Sequence, residues 1–294
     1  MAGIAPLNPP SPKPRLTPDN WRLSMAVNEQ IQQGMLTPQQ LAFYDAFGFL
    51  VVRQAFSHDE MRVIEIDHET IMLEDRHGKP FDGRKSQNVI DTIEHQPGFR
   101  QIMENDRIAG SVGQIMGPDF VYLGSDSHFY VGDTHWHPDM GWHPSMFGGG
   151  KQPPLTSTLP GIKVAFYLDP VTCDTGCLRV IPGSHLMLAG GSASDSPVLN
   201  PFQDYLGVIH CDRPENFTAD GRIQKFGLES RDIPSYPLES ESGDVVFFNH
   251  RTWHASFGGA ANRRMIALNY KAKPITEIHK RYIRDTLENM TYTN

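Results

Sequence analysis

Residues 242–250, Ser242-Gly243-Asp244-Val245-Val246-Phe247-Phe248-Asn249-His250, form a turn that feeds a strand rich in β-branched and aromatic residues. Further back, Gly161-Ile162-Lys163-Val164-Ala165-Phe166-Tyr167-Leu168-Asp169 reads as a buried strand, and a turn-rich segment then closes on Gly176-Cys177-Leu178-Arg179-Val180-Ile181-Pro182-Gly183-Ser184-His185. From Asp119 onward strands dominate, expected at residues 120–123, 128–131, 163–168, 178–181, 245–248 and 265–271. Helices come first. Thr37-Pro38-Gln39-Gln40 carries a capping box with proline at the first helical position, and Gly48 ends that helix. Ser57-His58-Asp59-Glu60 caps a second helix running to about Leu73, and residues 97–116 supply a third, with Phe99, Ile102, Met103, Ile108 and Val112 on its core side. The chain has 294 residues, enough for one large, mainly β domain with flanking helices, and residues 17–294 are read as that single domain.

Against this background stand His137-Pro138-Asp139 and, much later, His254 followed by Arg263 and Arg264. Two imidazoles and one carboxylate form the facial set that holds a non-haem Fe(II) and leaves the opposite side of the metal open. On a strand, residues i and i+2 project to the same side, so His137 and Asp139 can reach one metal while Pro138 points away. Proline in that place suits a strand end or an edge. A lone H-x-D triplet is a weak signal in a chain with 13 histidines, where a solvated turn is the ordinary reading.

The ordered set is more specific. Trp136 to Asp139, Gly176 to His185, Gly243 to Phe248, and His254 to Arg264 follow one another in a pattern that resembles the phytanoyl-CoA hydroxylase family of iron- and 2-oxoglutarate-dependent dioxygenases, over roughly residues 37–273. The resemblance implies a double-stranded β-helix (jelly-roll, cupin-like) core. It implies His137, Asp139 and His254 as ligands of Fe(II), with 2-oxoglutarate and O2 as cosubstrates. The implied reaction is hydroxylation of a C–H bond with release of succinate and CO2. A carboxylate at Asp139 favours hydroxylation over chlorination, because halogenases of the wider superfamily have Gly or Ala at that place.

The distal carboxylate of 2-oxoglutarate needs a cation deep in the barrel, and the planar guanidinium of arginine suits it. By the resemblance Arg264 is that residue, with Arg263 as the alternative if the register slips by one. Ser256, two residues beyond His254, supplies a hydroxyl to the same carboxylate, and His128 aligns with a cosubstrate contact or is a core histidine. Lys163 and Tyr167 share the parity of Ala165, which faces the barrel interior. A buried lysine requires an anion, so Lys163 is a candidate handle for an anionic substrate, exposure at a strand end being the competing reading. Residues 141–160 begin two residues past Asp139 and contain Trp142, His143, Lys151 and the run Gly148-Gly149-Gly150. They are read as a lid, with a disordered insertion as the alternative. Lys151 and Arg251 join Lys163 as substrate-facing cations.

Composition limits the remaining choices. A net charge of −8 without a basic stripe argues against a nucleic-acid or anionic-membrane partner and for a small-molecule substrate. Three cysteines, Cys173, Cys177 and Cys211, do not make the even framework of a small secreted protein. Residues 1–16 are a Pro-rich arm without the apolar run of a signal peptide, and a cytoplasmic location is expected. Three functional readings stand at this point: a hydroxylase, the same iron centre giving desaturation, epoxidation, ring formation or demethylation, and a non-catalytic metal-binding jelly roll acting as sensor or scaffold.

Overall fold

Short-range hydrogen bonds set the first helices. The computed structural model describes residues 36–139, 159–188, 205–206, 208–210, 214–259 and 263–290. The arm at 1–16, Cys211 and all but the last two residues of the 141–160 segment, with Trp142, His143 and Lys151, lie outside them. Helix α1 (Pro38–Phe47) begins where Thr37 Oγ1 accepts from the Gln40 N–H at 3.2 Å and Gln40 Oε1 accepts from the Thr37 N–H at 2.8 Å. Two donors that a helix start would leave unpaired are thereby satisfied. The helix stops at Gly48, whose φ of 80° lies in the left-handed region. A Cβ there would also sit 2.4 Å from His185 Nδ1 and 2.6 Å from Thr252 Oγ1. Gly48→Ala is therefore expected to cost about 2–4 kcal/mol, seen as a lower urea midpoint at unchanged m-value. A midpoint equal to that of the unaltered chain would refute this account of the turn.

Helix α2 (His58–Asp75) opens on the second capping box, Ser57 with Glu60. The helix expected over 97–116 is broken. A short α3 (Thr92–His95) leads into α4 (Pro97–Met103) and α5 (Asp106–Met116), and Asn105 restarts the helix by accepting from the Arg107 N–H at 3.0 Å. Phe99, Ile102, Ile108 and Val112 are nonetheless buried, with Met103 packed against them, because both pieces turn the same apolar side inward.

Among the described residues ten strands make two sheets. The larger, in the order β1 (Phe49–Val52), β8 (Val245–Asn249), β5 (Gly161–Tyr167), β10 (Arg263–Lys271), β3 (Val121–Tyr130), β2 (Gln87–Ile90), is antiparallel throughout. The smaller runs β4 (Thr134–His137), β9 (His254–Ser256), β6 (Leu178–Val180), β7 (Tyr236–Leu238). Two corrections concern boundaries. Strand β3 is one continuous element where two short ones were expected, and β10 starts at Arg263, two residues early.

Alternation along the large sheet produces two cores. Val245, Phe247, Val164, Phe166, Ile266 and Leu268 pack on the helices, whereas Val246, Phe248, Ala165, Tyr167, Met265 and Ala267 meet Leu178, Val180 and Leu238 of the small sheet. A third cluster, including Trp136, Trp253, Ala255 and Phe257, covers the back of the small sheet. This is the mainly β, helix-flanked jelly roll. Helix α6 (Glu277–Met290), which the sequence reading did not place, follows β10. Among the described residues no helix is long and apolar enough to cross a membrane.

Candidate metal centre

Strand pairing brings the histidines together. His137 ends β4 directly opposite His254 at the start of β9, and Val180 of β6 flanks His254 on its other side. Trp136, fully buried, anchors β4 through its indole N–H to the Ser230 carbonyl at 2.9 Å. The chain then leaves the strand and swings Asp139 back over the pair. Ligand atoms of His137, Asp139 and His254 all lie within 4.8 Å of one another.

The ring nitrogens are already sorted. His137 Nδ1–H donates to the His135 carbonyl at 2.6 Å and His254 Nδ1–H donates to the Thr252 carbonyl at 2.8 Å. Each hydrogen bond fixes one tautomer and leaves the Nε2 lone pair for a metal. Burial pushes His254 down to about 4, so the imidazole is neutral at ordinary pH despite Asp139 beside it. Burial opposes ionisation of Asp139, yet Lys163 above all, then His254, His250 and His137, hold its carboxyl far below the usual range. Imidazole nitrogens with free lone pairs and an ionised carboxylate are the donors a divalent metal requires.

Beyond the candidate metal ligands, the structure turns the two adjacent arginines to opposite sides of β10, and the expected Arg264 is the one that faces away from the barrel interior. Arg264 has the parity of Ile266 and Leu268 and turns to the helix side, where Asp169 takes its Nη2 at 2.7 Å and its Nε at 3.0 Å, and Glu69 takes Nη1 at 3.1 Å. Arg263, with the parity of Met265, points between the sheets and is 5% exposed. Its Nη1 meets the Ser256 hydroxyl and the Gly176 carbonyl, and Nη2 donates to the Gly132 carbonyl at 2.9 Å. Among the described residues no carboxylate pairs with it, and its buried Nε–H has no acceptor. Gly176 and Gly259 make the room: a Cβ on either would fall 2.4 Å and 2.8 Å from guanidinium atoms. A glycine-cradled arginine with a spare buried donor beside a serine fits the distal carboxylate of a dicarboxylic acid.

The other predicted residues divide. His128 lies on the inner face of β3, where its Nε2–H donates to Asp126 at 2.5 Å and its ring stacks on Tyr130 at 4.5 Å. Tyr130 in turn lies 5.3 Å from the Arg263 guanidinium. Tyr167 faces inward as expected. Lys163 does so too, but its anion is Asp139 itself, at 3.2 Å. Arg251 sits half-buried in the turn between β8 and β9, its charge felt by Lys271 and His185. Two inward residues of β10 escaped the sequence reading. Asn269 donates to Asp126 at 3.0 Å, and the buried Lys271 donates to His250 Nδ1 at 2.7 Å in space that the absent side chain of Gly161 leaves open. Burial brings Lys271 down to about 7. Their strand parity with Arg263 and Lys163 was the available signal.

A jelly roll with two histidines and an aspartate at one end and a buried cation further in defines the class of iron- and 2-oxoglutarate-dependent oxygenases. The chain belongs to the phytanoyl-CoA dioxygenase (PhyH) family, whose sequence profile matches residues 44–265. Comparison by sequence with curated proteins gives no match. Among solved structures, the iron-bound HygX from Streptomyces hygroscopicus is similar at a TM-score of 0.55 and 19% identity, over 82% of this chain and 89% of that one. The non-heme alpha-ketoglutarate-dependent carbocyclase SnoK from nogalamycin biosynthesis gives 0.54 and 18%, over 81% and 84%. EctD from S. alaskensis with bound Fe gives 0.54 and 17%, over 81% and 77%.

Proposed function

We propose that this chain is an Fe(II)/2-oxoglutarate-dependent dioxygenase that hydroxylates a C–H bond of a small metabolite or natural product. The observation that carries the reading is the joint presence of the His137, Asp139, His254 cluster and the cradled Arg263 within one barrel. When bound, iron with 2-oxoglutarate and O2 supplies the oxidising power: one oxygen atom enters the C–H bond, the other enters succinate, and CO2 leaves. His137 and His254 would hold the metal through Nε2 and Asp139 through a carboxylate oxygen. Arg263 and Ser256 hold the distal carboxylate of the cosubstrate and thereby fix its orientation. Phe248, whose ring lies 5.0 Å from that of His254, helps keep the site dry on the barrel side.

His128 is assigned to the cosubstrate, and substrate contacts are assigned to Tyr167 on the inner face and, from the sequence, to Trp142, His143, Lys151 and Arg251. A compact polar substrate and a cytoplasmic location belong to this reading, supported by the polar inner row and the sparse cysteines. Retention of a carboxylate at Asp139 supports hydroxylation over halogenation. Ring formation is the second outcome to consider, since SnoK, on a similar fold, is described as a carbocyclase. A sensor or scaffold would have no use for a buried arginine that awaits an anion. Anaerobic addition of Fe(II) and then 2-oxoglutarate is expected to give a weak visible charge-transfer band, and admission of O2 to yield succinate. Iron binding without that band would remove the oxygenase reading and favour the scaffold.

A further inference from the structure

Lys163 is an ammonium group in the interior of the barrel, its side chain 19% exposed, and its surroundings explain it without a substrate. Asp139 points its two oxygens in different directions. Oδ1 faces His254 Nε2 at 3.6 Å, while Oδ2 faces Lys163 Nζ at 3.2 Å. The carboxylate of Asp126 adds to the field at Lys163 from the same inner face, and Asp126 is itself held by His128 and Asn269. Asn269 stands directly across from Lys163 in the register of β10 and β5. One ammonium is thus paired with a candidate metal ligand, on the same inner face as a second carboxylate that Asn269 and His128 hold.

The geometry points to Lys163 as the positioning residue of the metal carboxylate: it holds Asp139 Oδ2 away from the histidine pair, so that Oδ1 alone faces the metal and the remaining positions stay open to the cosubstrate. This deepens the proposed oxygenase reading and rests on it. It also withdraws Lys163 from service as the handle for an anionic substrate, because its charge is already matched within the protein. Without the lysine, Oδ2 is free to turn inward and occupy a position that 2-oxoglutarate needs. The alternative, a lysine that merely neutralises buried charge, makes a different forecast: stability would change and the coordination of the metal would not.

Co(II) serves as the probe, since its ligand-field bands report coordination number without turnover. Lys163→Met is expected to bind Co(II) with weaker visible bands, as coordination rises, and to bind 2-oxoglutarate about 10–100-fold more weakly. Lys163→Arg, which keeps a cation, should retain the wild-type spectrum. Because Lys163→Met leaves two carboxylates uncompensated, the Lys163→Met/Asp126→Asn pair is measured beside it. The pair should regain thermal stability while the altered spectrum persists. A Lys163→Met protein with wild-type Co(II) bands and wild-type cosubstrate affinity overturns the proposal even if its stability falls. If the unaltered chain binds neither Co(II) nor Fe(II), the metal reading itself fails and this inference falls with it, a result distinct from a change confined to the variants.

Discussion

His254→Ala is expected to lose Fe(II) binding and with it all cosubstrate turnover, a larger effect than any other single change in the chain. The imidazole is the one ligand carried by the small sheet's central strand β9, fixed in its tautomer by the Thr252 carbonyl and walled in by Phe248 and Val180. Among the described residues His250 does not take its place, because its Nδ1 accepts from Lys271 and its proton therefore sits on Nε2, leaving no lone pair for a metal. Removing a group that only supports a metal ligand typically costs about 10–100-fold, so removal of the ligand itself should exceed about 10³-fold in metal affinity. The measurement is Fe(II) titration under anaerobic conditions, followed by succinate release. A variant that binds iron within tenfold of the wild type would mean that His254 is not a ligand. Asp139→Asn is the companion control, since it keeps the shape and removes the charge.

The second large effect separates two adjacent arginines. Arg263→Gln should raise the half-saturating 2-oxoglutarate concentration by about 100-fold or more, as expected for truncating a buried charge that recognises a carboxylate. Arg264→Gln should leave it within about threefold and instead lower stability by about 1–2 kcal/mol, because Asp169 and Glu69 would lose their shared partner at a half-buried site. Equal effects of the two changes on the cosubstrate would contradict the inward placement of Arg263. Rescue of Arg263→Gln by a cosubstrate analogue lacking the distal carboxylate would strengthen it.

Much of this was legible in the chain because it is local. Thr37 with Gln40, Gly48, and Ser57 with Glu60 carry their instructions within a few residues, and the helices begin and end where those residues stand. The strands around Val164, Val246 and Leu268 were marked by β-branched and aromatic runs. The grouping of His137, Asp139 and His254 was legible from residue type, although β4 ends at His137 and Asp139 reaches the pair from beyond the strand rather than along it. What stayed hidden depends on partners distant in sequence. The weakly apolar β2 has no strong signal of its own and forms because β3 offers it an edge. The break at Asn105 was readable in principle, since Asn-Asp is a good helix start, but the apolar period continues across it. The choice between Arg263 and Arg264 turned on a single residue of strand origin, and only the pairing of Arg263 with Tyr130 across β10 and β3 settles which one faces inward. Lys163 was correctly expected to need an anion, yet nothing near it in the sequence indicates that the anion is Asp139.

The side-by-side placement of those arginines also bears on how the last strand finds its place. A strand displaced by one residue exchanges its two faces, and an apolar strand such as 265–268 would resist the exchange only weakly, because both faces lead into greasy layers. Asp169 and Glu69 discriminate where the apolar residues do not. A slip in one direction would bring Met265 to these carboxylates and leave them without a cation, whereas a slip in the other would bring Arg263 to them and empty the cradle formed by Gly176 and Gly259. The ion pair outside the barrel and the glycine cradle inside it thus proofread the alignment together, one for each direction of slip. Insertions or deletions of one residue between Ser256 and Arg263 would be read by this device as errors, which makes that short connection a poor place to diversify the scaffold.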